Sequence, residues 1–117
     1  MITGEKKLRE VLNIPTVLSK ISEYDIFRWY MPNKRWELNR ATHSPFRNES
    51  RPSFTIYSKD GRVFYLDFSD PHHRGDCFNF VQQLFNVGLT DCLEIIDRDF
   101  NRGIKIRREK IYLIIQR

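Results

Sequence analysis

Long apolar runs are missing from this chain. No segment approaches the roughly 20 consecutive apolar residues a membrane-spanning helix needs, and the start, "MITGEKKLREVL", lacks the apolar block of a secretory signal. A cytoplasmic protein is the simple reading. Cysteine is scarce: Cys77 and Cys92 are the only two, both inside helix-like segments, which excludes a disulfide framework as the basis of the fold. Internal repeats and low-complexity tracts are absent as well.

What is present is aromatic and basic. The 117 residues are one-domain length. With 40% hydrophobic residues, including 9 Phe, 5 Tyr and 2 Trp, this is a folding sequence and not a disordered one. The net charge of +5 argues for an anionic partner, of which nucleic acid is the commonest.

The pattern along the chain predicts an α+β fold. Residues 5–12 read as a short helix ended by Asn13 and Pro15, and a second helical stretch runs from Thr16 to Ile21. Ser22 is a good N-cap for a third helix, stopped by Pro32, with Tyr24, Phe27 and Tyr30 or Met31 on its core face. A strand is expected near Trp36–Ala41. Two better strands follow, Ser53–Ser58 and Arg62–Phe68, joined by a tight Lys-Asp-Gly turn into a β-hairpin. "SDPHHRG" reads as a loop, after which Asp76 caps a helix with Cys77, Phe80, Val81, Leu84 and Phe85 at buried spacing. Gly88 is expected to end that helix, and Thr90 to cap the next, on which Leu93, Ile96 and Phe100 share a face. Both cysteines fit the apolar positions and read as small buried thiols. The tail joins a basic stretch, Lys105–Lys110, to a strand-like run, "IYLIIQR". The expected organisation is an N-terminal helical segment (1–32), a central domain (33–103) and a basic linker with a terminal strand (104–117).

One combination is more specific. "SPFRNESRPSF" is followed by "FYLDFSD" and then by "GDCFNFV". Together, over about Ala41–Phe100, these resemble the N-terminal zinc-binding, zinc-ribbon domain of bacterial- and phage-type DNA primases. That family reads Cys-Pro-Phe-His, then Pro-Ser-Phe, then Phe-Tyr-x-Cys-x-x-Cys, then a helix opened by Gly-Asp or Gly-Asn. The resemblance implies a zinc-ribbon-like antiparallel sheet centred on the hairpin and flanked by helices. It also implies a domain that binds single-stranded template and does not itself catalyse.

The family's metal ligands do not carry over. Their positions are Ser44, Arg47, Asp67 and Asp70, and the loop after Asp70 runs one residue longer. Serine is a poor zinc ligand and arginine, always protonated, is none. Zinc is therefore expected to be absent, with no cofactor in its place. The substitutions suggest an ion-pair crosslink: Arg47 bridging Asp67 and Asp70, with Ser44 adding a hydroxyl hydrogen bond. Structural zinc contributes on the order of 10 kcal/mol and a partly exposed ion pair about 1 kcal/mol or less. The aromatics Phe46, Phe54, Phe64 and Phe68 would then supply most of the stability. A replacement metal site among His43, His72, His73, Asp67, Asp70 and Cys77 is the less favoured alternative, a polar loop facing water being the simpler reading.

For function, a single strand is held by basic residues interleaved with aromatic platforms. The hairpin region offers Arg40, Arg47, Arg51, Lys59, Arg62 and Arg74 with Tyr57 and Tyr65, alongside Phe46 and Phe64. The expected function is a primase-like template-recognition module acting on single-stranded DNA in replication, either part of a longer primase or a stand-alone remnant. A replicative helicase or a primase catalytic domain would be its protein partner. A protein-interaction module docking on a helicase or polymerase core, through "IYLIIQR", is the alternative. A metal-dependent nuclease using Asp67, Asp70, His72 and His73 is disfavoured, because no second acidic cluster accompanies them.

Overall fold

The computed structural model describes residues 12–101. The helix expected over 5–12 lies outside the described residues but for Leu12, which is not helical, and the terminal strand and basic linker beyond 103 lie outside them altogether. Among those described, the order is α1 (Ile14–Leu18), α2 (Glu23–Tyr30), β1 (Arg40–Thr42), β2 (Phe54–Lys59), β3 (Arg62–Asp67), β4 (Arg74–Asp76) and α3 (Cys77–Phe85), and a further helix, α4, covers residues 89–101. The fold is α+β. The four strands form one antiparallel sheet in the order β1-β2-β3-β4.

Local chemistry explains most of the boundaries. Asn13 and Pro15 start a helix where the sequence pattern had them end one: the Asn13 side chain accepts the Thr16 N–H at 2.9 Å and Pro15 lies in the first turn, where its missing N–H costs nothing. Ser22 caps α2 by accepting the Asp25 N–H at 3.0 Å, as expected. The hairpin forms with Lys59 opposite Arg62, and the two turn residues, Asp60 and Gly61, have φ of 51° and 76°. Positive φ at both central residues is the two-residue turn that matches strand twist.

Other boundaries differ from the sequence reading as well. The first strand is shorter and later than Trp36–Ala41. Within the expected loop after β3, Arg74–Asp76 pairs with Leu66–Phe64 as β4, too short a strand to show alternation. And Asn86, not Gly88, ends α3, taking the left-handed conformation at φ 55°; Thr90 lies inside α4, whose Cys92 N–H is bonded to the Gly88 carbonyl at 3.0 Å.

The helices cover one face of the sheet. Partners directly opposite in an antiparallel ladder share a face, so Phe54, Ile56 and Tyr65 point together into the core, where they meet Phe27, Phe80 and Val81. Phe27 lies 6.2 Å from Tyr65 and 5.1 Å from Phe80, joining α2, β3 and α3 in one aromatic cluster. Cys77 and Cys92 are buried thiols, and burial raises both, Cys92 to about 11, so neither is a nucleophile. Of the aromatics assigned to the core, Phe46 and Phe54 belong to it. Phe64 lies on the opposite face of the sheet and Phe68 is 59% exposed.

Candidate nucleic-acid interface and the turn behind it

The turn that resembles a zinc-ribbon knuckle is held by carboxylates. Asp67 ends β3 with no exposed surface, and its Oδ1 accepts from the Arg47 guanidinium. The same oxygen accepts the Ser69 N–H at 2.9 Å and the Asp70 N–H at 3.3 Å. Burial by itself would raise this carboxyl; Arg47 and the two amides outweigh it and hold it below the ordinary 3.8. On its other side Arg47 Nε lies 3.3 Å from Glu49. Glu49 in turn accepts from the Ser53 hydroxyl at 2.5 and 2.7 Å and from the Ser44 N–H at 2.9 Å. The Ser53 hydroxyl first, then the Ser44 amide, hold Glu49 below its ordinary value.

The ion-pair crosslink thus exists with one partner exchanged. Arg47 joins Asp67 to Glu49, not to Asp70. Asp70 folds onto its own loop: it accepts the His72 N–H at 3.2 Å and faces His73 Nδ1 at 3.5 Å. Ser44 takes part differently too. Its hydroxyl accepts the Phe46 N–H at 3.0 Å, closing a local turn that aims Phe46 at Phe54 and Phe80, 5.9 and 5.7 Å away. Glu49 carried no signal of its own in the sequence, since a lone acidic residue between Asn48 and Ser50 reads as loop. Its role follows only from the chain folding Ser44 and Ser53 to one point.

The four positions do not suit zinc. A serine hydroxyl engaged with a backbone amide and a guanidinium within an ion pair offer no donor to a soft cation. Among the described residues no three His, Cys, Asp or Glu side chains gather to hold a metal ion. His43 and His72 are exposed and Cys77 is in the core. Asp67 Oδ2 and His73 Nδ1 are buried, 3.8 Å apart, and without a hydrogen-bond partner among the described residues.

The outer face of the sheet carries the other candidates. Tyr57 pairs with Phe64 and Phe64 with Asp76 across the strands, while Leu66 pairs with Arg74 and Lys59 with Arg62. By alternation all of these share the face opposite Phe54, Ile56 and Tyr65, but Arg62 reaches back to Glu23 of α2 and Asp76 caps α3. Tyr57 and Phe64 are half-buried, with ring centroids 5.7 Å apart. The Arg62 guanidinium lies 5.2 Å from the Phe64 ring centre. Lys59 and Arg74 are exposed and have no ion-pair partner among the described residues.

The structure redistributes the candidate binding residues. Lys59, Arg74 and Tyr57 lie together on the outer face, and Phe64 joins them. Arg51 is exposed on the loop before β2. Arg40 is on β1, paired with Glu37 at 2.6 Å. Arg62 reaches Glu23 of α2 at 2.9 Å and Asp76 at 3.5 Å, so it pins sheet to helix as much as it offers charge. Two candidates turn inward. Tyr65 is 2% exposed, and its hydroxyl, pushed up to about 12 by burial, donates to Gln83 at 2.7 Å. A ring so enclosed cannot stack on a base. Arg47 spends its guanidinium on Asp67 and Glu49, leaving little for a phosphate.

The described residues thus form a hairpin sheet with one helical face, one open basic-aromatic face and a Pro-Phe turn clamped to its end, and sequence likeness gives it a context. The chain is similar to DNA primases, which suggests a primase-related domain. It is 29% identical over 85 residues to a DNA primase of Legionella pneumophila, covering 73% of this chain and 14% of that protein. It is 21% identical over 114 residues to a DNA primase of Buchnera aphidicola, covering 89% of this chain and 19% of that one. The chain therefore spans less than a fifth of either relative. No family model matches it, and no solved structure does. No described helix is long and apolar enough to cross a membrane.

Proposed function

We propose that this chain is a primase-related template-recognition module that binds single-stranded DNA across the outer face of its sheet. The observation that carries the reading is the half-buried Tyr57–Phe64 pair flanked by Lys59 and Arg74, cations with no ion-pair partner among the described residues. A π-face of this kind accepts any base, and flanking cations follow the phosphates without reading sequence. The likeness to primases supports a role in DNA replication, where a primase catalytic domain or a replicative helicase would be its partner. In this reading the module holds no zinc: the Arg47–Asp67–Glu49 contacts take over the crosslink between the Pro-Phe turn and the hairpin.

Fluorescence anisotropy with a labelled oligonucleotide tests it. Binding should be tightest at low salt, weaken steeply as salt rises because counterions are released, and favour a single strand over a duplex. The double variant Lys59→Glu/Arg74→Glu should weaken it by about tenfold or more at low salt. An absence of binding at low salt would leave the protein-interaction module as the better reading.

A further inference from the structure

The row of side chains that holds Phe64 does not stop where β3 does. Phe68 is 59% exposed, the most open of the large apolar side chains among the described residues. It is nonetheless held in place. Its N–H donates to the Ser53 carbonyl at 2.7 Å, which carries the β2–β3 pairing one step past Asp67. Asp67 before it is buried and tied to Arg47, and the Ser69 and Asp70 amides after it donate to Asp67 Oδ1. Anchoring on both sides fixes where this residue stands. A phenyl ring left in water forgoes the burial that stabilises a core aromatic. Phe64 already has the Tyr57 ring at 5.7 Å and the Arg62 guanidinium at 5.2 Å; Phe68 has no such ring or cation neighbour among the described residues.

Alternation orders the surface around it. Tyr65 and Asp67 are buried on the inner side, so Phe64, Leu66 and Phe68 follow one another on the outer side. Arg74 of β4 lies opposite Leu66, between the two rings. Lys59, opposite Arg62, lies on the other side of Phe64, at the hairpin turn. Along β3 from the turn, the order is therefore cation, ring, cation, ring: Lys59, Phe64, Arg74, Phe68. The one anion in the row, Asp76 opposite Phe64, is taken up by the α3 amides and by Arg62 at 3.5 Å. Phe64 and Phe68 are four residues apart, about 13 Å at the rise of a strand, several times the roughly 3.4 Å between stacked bases. Two rings so far apart meet two different bases, and Arg74 stands at the level of the phosphates between them.

We infer that Phe68 is a second base-stacking platform and that the single strand runs lengthwise along β3, from the hairpin turn to Phe68, not across the sheet. The inference rests on the sheet face being the DNA-binding surface. A strand crossing the sheet would meet Tyr57 and Phe64 and leave Phe68 idle; only a lengthwise path uses both rings and both cations. An exposed π-face beside a cation suits a base followed by its phosphate.

The test is anisotropy at low salt with the full chain and labelled oligothymidylates of increasing length. Wild-type affinity should climb with length until the strand covers both rings, then level off. Phe68→Ala should weaken a strand of that length by about tenfold, the loss of one stacked base, and should level off at a shorter length. Phe68→Tyr should bind as the wild type does. Phe68→Leu, which keeps apolar bulk and loses the π-face, should bind as Phe68→Ala does. All three should melt at the wild-type Tm, because the ring is exposed. If Phe68→Ala keeps wild-type affinity and length dependence while Lys59→Glu/Arg74→Glu loses binding, the sheet face stands as the binding surface and the role of Phe68 is overturned. Wild-type affinity in Phe68→Leu would make the contact apolar only and overturn the stacking. No binding by the wild-type chain would remove the sheet-face reading and this inference together.

Discussion

A carboxylate with no exposed surface is tolerable only where its charge is met. Asp67 is such a group, and Arg47 meets it. Asp67→Ala should therefore cost about 2 kcal/mol in a denaturant titration, because it leaves the Ser69 and Asp70 amides without their acceptor and Arg47 with Glu49 alone. Asp70→Ala, on a loop that serves only itself, should stay within about 0.5 kcal/mol. The pH dependence has a definite sign. Asp67 and Glu49 lie below their ordinary 3.8 and 4.5, so the unfolded chain binds protons first. Their contribution is complete above those values and is lost as pH falls through the lower folded-state values. Thermal melts should show Tm dropping on acidification below about pH 4.5, and Asp67→Asn should flatten that drop. The sequence pointed to half of this arrangement. Arg47 and Asp67 stand at the positions where the resembling family has metal ligands, which marked them as facing each other. Asp70 stands at another such position and misled, because its side chain turns into an Asx-type contact with His72 that no spacing rule distinguishes from an inward one.

At the scale of elements, the hairpin and the α3 cap were legible because each is written in adjacent residues. Asp60-Gly61 fixes the turn, and Asp76 with Asn79 forms a reciprocal capping box, Asp76 Oδ1 accepting the Phe78 and Asn79 N–H groups at 3.0 Å. Asp76→Ala should cost about 1 kcal/mol. Gly75 is coupled to the same cap. It has φ of 150°, and a Cβ there would meet the Asn79 Oδ1 at 2.4 Å. Gly75→Ala should thus lower Tm at least as much as Asp76→Ala, and the double variant should lose less than the sum, since both act on Asn79. What the sequence did not show was β4. Three residues cannot display an alternation, and Arg74–Asp76 become a strand only because Leu66, Tyr65 and Phe64 offer an open edge. The same limit hid the roles of Phe64 and Tyr65. Both strands of the hairpin carry aromatics on both faces, so alternation could not say which face the helices cover; α2 and α3 decide it by burying Tyr65 and leaving Phe64 on the other side.

For the whole molecule, the proposed function assigns the two faces of the sheet different roles. Its inner face, with the Pro-Phe turn and both cysteines, supplies the core. Its outer face keeps two aromatic rings half-open and two cations, Lys59 and Arg74, without an ion-pair partner among the described residues. Mapping single-strand contacts by amide chemical shifts is the most direct measurement of that division. A short oligothymidylate added to the labelled protein should move the signals of Tyr57, Lys59, Phe64 and Arg74, leave those of Phe27, Val81 and Ile96 in place, and lose its effect as salt is raised. Shifts confined to the helical layer, or an unchanged spectrum at low salt with saturating oligonucleotide, would contradict the assignment of the sheet face as the DNA-binding surface.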